Sequence, residues 1–100
     1  MYVIKEREMG DNWSLICCSD DLEKLKEENK KFNAEIDFRE IDFELVSGQQ
    51  IYTAEAYIRE CDIGCDCGLY FKTLSDVKKF VNSHNSKNNI SYIDRPLRVL

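Results

Sequence analysis

The chain is poor in the residues that make linkers, with one Pro and four Gly among its 100 residues. Nothing in it marks a boundary between domains, and the expectation is a single domain spanning residues 1–100. Long apolar runs are also missing, so no segment reads as a membrane span. Residues 1–8 alternate like a strand and lack the basic start, apolar middle and small-residue cleavage site of a secretory signal, which points to the cytoplasm. The chain lacks excess positive charge as well, with a formal net charge of −5. Affinity for nucleic acid comes mostly from Lys and Arg meeting phosphate, so direct nucleic-acid binding is not expected.

The usual catalytic signatures are absent too. There is no Gly-rich phosphate loop, no H-E-x-x-H, no G-x-S-x-G and no C-x-x-C. The single His is His84, far along the chain from Cys17, Cys18 and Cys61. The reading is therefore a protein that is not an enzyme, with a thiol-dependent enzyme as a remote alternative that lacks a substrate.

What is present is an ordinary globular mixture, 43% hydrophobic and 33% charged. Alternation over residues 2–8, a turn at Gly10-Asp11-Asn12 and a second run from Trp13 to Cys18 predict two strands. A helix follows over residues 21–31, with Ser19 or Asp20 as its cap and Leu22, Leu25 and Phe32 as a narrow apolar stripe. A second helix is expected over residues 74–83, with Thr73 and Asp76 in capping-box spacing and Leu74, Val77, Phe80 and Val81 inward.

Between the helices, residues 35–46 read as a third strand with a one-residue bulge near Arg39-Glu40. A fourth runs over residues 50–61. A turn at Ser47-Gly48 then pairs Phe43 with Tyr52, Ile41 with Ala54, Phe38 with Ala56 and Ile36 with Ile58, all on one apolar face. Residues 61–68 read as a loop, residues 69–72 as a fifth strand and residues 90–93 as a short sixth. Pro96 stops regular pairing on one side and leaves an apolar tail.

The expected class is α+β: one mainly antiparallel sheet of five to six strands, with two helices on one face, in the order β-β-α-β-β-β-α-β. Asp21-Leu22-Glu23-Lys24-Leu25 echoes Asp76-Val77-Lys78-Lys79-Phe80, each just after a strand, which suggests a ββα pseudo-repeat.

Two constellations carry candidate chemistry. Cys61, Cys65 and Cys67 can supply thiolates to a structural zinc, with Cys17, Cys18 or His84 as the fourth ligand. Their C-x3-C-x-C spacing is not the common knuckle spacing. The competing reading is that no cofactor binds and the thiols are free. Of the adjacent Cys17 and Cys18, only one is expected to face inward, filling core as a small apolar residue.

The second constellation is acidic. Asp37, Asp42, Glu44 and Glu55, with Tyr57 among them, are expected on the wet side of the third and fourth strands. A row of carboxylates there can imitate a phosphate backbone, or can simply keep an edge strand from pairing with other chains. The functional expectation is a small acidic binding protein, an inhibitor or adaptor of the kind phages carry against host defences. Its partner would be another protein, such as a nucleic-acid-binding enzyme. A zinc-stabilised structural domain is the alternative.

Overall fold

The computed structural model describes residues 1–7, 13–58, 63–84 and 90–100, with side chains described at all of these except 7, 13, 58, 63–67 and 90. The elements are β1 (Tyr2–Arg7), β2 (Trp13–Ser19), α1 (Leu22–Asn29), β3 (Glu35–Phe38), β4 (Gln50–Ile58), β5 (Ile63–Phe71), α2 (Leu74–His84) and β6 (Ile90–Val99). The order matches the expected one, and the class is α+β. The strands form one curled, mixed sheet in the order β3-β1-β2-β6-β4-β5.

That order is the same unit laid down twice. In the first half β1 and β2 pair antiparallel, α1 follows, and β3 returns antiparallel to β1. In the second half β4 and β5 pair antiparallel, α2 follows, and β6 returns antiparallel to β4. The ββα echo in the sequence is thus part of a ββαβ topology, and the halves meet at a short parallel pairing of β2 with β6.

The two helix starts share one cap pattern. The Asp21 carboxylate accepts from the Lys24 backbone N–H, and the Thr73 hydroxyl accepts from that of Asp76. Four residues beyond each cap stand Leu25 and Val77, both fully buried. The correct match is therefore Asp21 with Thr73, three positions from the match the sequence suggests. Asp21, not Ser19 or Asp20, is the α1 cap, while the Ser19 hydroxyl accepts from the Asp21 N–H.

The expected hairpin of residues 35–60 does not form. β3 is only four residues long and pairs with β1, and three strands separate it from β4. Ile36 sits opposite Ile4 and Phe38 opposite Tyr2. The bulge at Arg39-Glu40 is replaced by the end of the strand. Two other boundaries also move. β5 begins at Ile63, so Cys65 and Cys67 lie in a strand rather than a loop, and β6 runs unbroken through Pro96.

Pro96 survives inside β6 because of which way its missing N–H points. The Leu100 N–H donates to Cys18 of β2, and the Val99 N–H donates to the Gln49 carbonyl on the opposite side. Backbone groups alternate sides along a strand, so the nitrogen of Pro96 faces β2 and the ladder to β4 is intact. The β2 pairing covers only Arg98 and Val99. Beyond it β2 diverges, and the sheet curls until Leu15 of β2 and Tyr70 of β5 join one cluster.

Both helices cover one face. Leu25 packs on Ile4 and Cys17, and Val77 and Val81 pack on Ala54, with Tyr52, Phe71, Phe80 and Tyr92 around them. The opposite, concave face holds Met1, Val3, Cys18, Ile51, Leu97 and Val99. Because both faces are covered, Cys17 and Cys18 are both fully buried, where one was expected to face out.

Leu25 is the one fully buried side chain on α1. Leu25→Ala should cost about 2–5 kcal/mol in chemical denaturation. Phe38→Ala, at a ring 57% exposed, should cost about 1 kcal/mol or less. Comparable losses for the two variants would contradict this packing.

Candidate functional site

The concave face is closed by a segment that belongs to no strand. After β3 the chain crosses it as a strap over residues 39–49. Ile41, Phe43 and Leu45 are half-buried against the concave cluster, while Glu40, Asp42, Glu44 and Val46 are exposed. The alternation expected of a third strand is real. Its dry side rests on the face of the sheet, not beside a neighbouring strand.

The strap is tied at both ends. At its start the Arg39 backbone N–H donates to the Met1 carbonyl (2.8 Å). The Arg39 side chain donates from Nε to the Tyr70 hydroxyl (3.1 Å), and from Nη1 to Asp37 (3.0 Å) and to the Phe38 carbonyl (3.2 Å). Arg39 follows β3 and Tyr70 lies in β5, so this contact bridges the two edges of the curled sheet. At the far end the Gly48 N–H donates to the Val99 carbonyl and the Ser47 hydroxyl to that of Leu100. Gly48 has φ of 84°, a left-handed conformation that glycine adopts without a Cβ clash.

The expected acidic surface divides into three parts. Asp42 and Glu44 stand together on the outer side of the strap, and neither makes an ion pair with a described residue. Glu40, at the position of the expected bulge, completes their row. Asp37 is occupied differently: Lys5 Nζ lies 2.8 Å away and Arg39 Nη1 3.0 Å away. The bond from Lys5, reinforced by Arg39, holds the Asp37 carboxyl below its ordinary range. Glu55 and Tyr57 are on β4, where Glu55 is half-buried and paired with Arg95 at 3.1 Å. With no hairpin, the five residues are carried by three separate segments, β3, the strap and β4.

Among the described residues, most other carboxylates have partners. Glu23, Glu27 and Glu28 pair along α1 with Lys26, Lys30 and Lys31. Glu28 also takes Arg98, and Asp94 takes Lys78. The strap is where successive outward carboxylates are left uncompensated, because the chain beneath them is committed to apolar contact.

The candidate metal ligands are placed as follows. Cys61 lies outside the described residues, and Cys65 and Cys67 are in β5. Cys17 and Cys18 point to opposite faces, one under α1 and one in the concave cluster. Burial pushes the Cys18 thiol up to about 12 and raises that of Cys17, so both stay protonated and neither is a ready nucleophile. His84 is exposed on α2, stacked on Phe80 with centroids 4.2 Å apart, and its Nδ1 lies 2.7 Å from the Phe80 carbonyl. A carbonyl only accepts, so Nδ1 carries the proton and caps the helix end. Among the described residues no three His, Cys, Asp or Glu side chains converge, and no helix is long and apolar enough to cross a membrane.

The lowered carboxyl of Asp37 has a pH signature. A group whose folded value lies below its unfolded one stabilises the fold above the unfolded value, about 3.9. It loses that contribution as pH falls through the folded value. Asp37→Asn should therefore lower stability at neutral pH and flatten the acid limb below about pH 4, read by thermal melts across pH. An unchanged acid limb would contradict the pairing.

No protein-family model, curated protein or solved structure matches this chain, so no relative supplies a function for it.

Proposed function

We propose that this chain is a small acidic binding protein without catalytic activity, an inhibitor or adaptor that occupies a basic surface of another protein. The observation that carries the reading is the uncompensated row Glu40, Asp42 and Glu44 on the outer side of the strap. Two properties suit it to recognition. The carboxylates are exposed and pair with no cation among the described residues, so no such ion pair must be broken on binding. They alternate with Ile41, Phe43 and Leu45, whose burial limits rotation of the row and reduces the ordering cost of binding. The chain bends at Asp42 and Phe43, so the row follows a curve.

A row of exposed negative charge resembles what a nucleic-acid-binding enzyme meets in its own substrate. The net charge of −5 adds a long-range field that steers a cationic partner toward the strap and repels nucleic acid itself. The partner class that fits best is a protein with a Lys- and Arg-lined groove, and the contact should weaken as salt rises.

The test separates the strap from bulk charge. Asp42→Lys with Glu44→Lys changes the net charge by +4, from −5 to −1. Glu23→Lys with Glu27→Lys on the exposed side of α1 does the same. Proteins captured from native extract on immobilised wild-type chain, and displaced by heparin, should be lost with the strap variant and kept with the α1 variant. Melting of the strap variant should be nearly unchanged. Equal retention by both variants would remove the strap from the reading.

A further inference from the structure

We infer that the strap is the opening unit of this fold: residues 40–45 lift from the concave face while the sheet stays paired. The backbone shows why. Residues 40–45 make no backbone hydrogen bond with any described residue. They are held between two hydrogen-bonded anchors, Arg39 at one end and Ser47-Gly48-Gln49 at the other, by the side chains of Ile41, Phe43 and Leu45. Lifting them breaks no ladder, whereas separating β4 from β6 breaks a pairing nine residues long. Segments with few buried contacts and no ladder bonds open at lower cost than the core.

The latch at the Arg39 end is polar and spans the sheet. Its removal frees the strap at the seam between β3 and β5 without touching the apolar residues beneath. Opening exposes Val3, Ile51, Leu97 and Val99, so a partner that draws on the outer carboxylates also uncovers an apolar surface. The opening does not depend on the binding reading, and each can fail without the other.

The protein carries its own reporters. Cys18 belongs to the cluster under the strap, and Cys17 lies on the other face under α1. Strap opening admits reagent to Cys18 alone, while global unfolding exposes both. The experiment is iodoacetamide labelling of the native chain, with fragmentation mass spectrometry separating the two adjacent residues. It is run on wild type, Arg39→Ala and Tyr70→Phe, the last removing only the hydroxyl that receives Arg39.

The expected result is faster labelling of Cys18 than of Cys17 in the wild type, at a rate indifferent to low urea. Tyr70→Phe should raise the Cys18 rate by up to roughly tenfold, as the loss of one hydrogen bond to a charged group implies, and leave Cys17 unchanged. Arg39→Ala should raise it further. Equal rates at both thiols, rising together with urea and with each variant, would mean that only global unfolding exposes Cys18 and would overturn the inference. Faster labelling of Cys17 would overturn it as well, since α1 and not the strap would then be the opening unit.

Discussion

Burial of Ile41, Phe43 and Leu45 against the concave face is the contact that gives the sheet its second covered side. The sheet is covered by helices on one side only, and its other side presents Met1, Val3, Cys18, Ile51, Leu97 and Val99. Without the strap those side chains would face water. Full burial of such a side chain stabilises by roughly 1.5–3 kcal/mol, so three half-buried ones contribute on the order of half that each. The sum is a fair share of the roughly 5–15 kcal/mol that holds a small domain together, yet small enough for local release. The same contact turns Glu40, Asp42 and Glu44 outward, because alternation leaves them no other side.

The curl that creates the concave face follows from how β6 is shared. Its odd positions near the end serve the β4 side, and its even positions serve β2. Pro96 removes a donor from the β2 side just before Arg98 and Val99, where that pairing begins. The two ββαβ halves are therefore joined by a short seam and are free to bend across it. The bend brings Leu15 and Tyr70 into one cluster and leaves Arg39 to span the two edges of the sheet.

Much of this was readable from residue order. The element sequence, both helices and the in-and-out alternation at residues 41–46 all follow from local chemistry. What alternation does not encode is the identity of the surface on the dry side. A strand beside its neighbour and a strap across a sheet face both show one wet and one dry edge. The hairpin reading assumed the nearer partner, and Phe38, assigned to its apolar face, is instead 57% exposed at an edge. Likewise, adjacent Cys17 and Cys18 are both buried because the sheet is covered twice, a property of the whole fold. The acidic row was visible in part. Asp42 and Glu44 face outward, but from the strap and not from a third strand, while Asp37 pairs with Lys5 and Arg39 and Glu55 pairs with Arg95.

Where the side chains of residues 41–45 lie is read directly by nuclear Overhauser contacts in the isotopically labelled protein. The structure predicts contacts from the Phe43 ring and the Ile41 and Leu45 methyls to the methyls of Val3, Ile51, Leu97 and Val99, with backbone contacts joining Ile36 to Ile4. Cross-strand backbone contacts joining Phe43 to Tyr52 and Ile36 to Ile58 would restore the hairpin and contradict the strap.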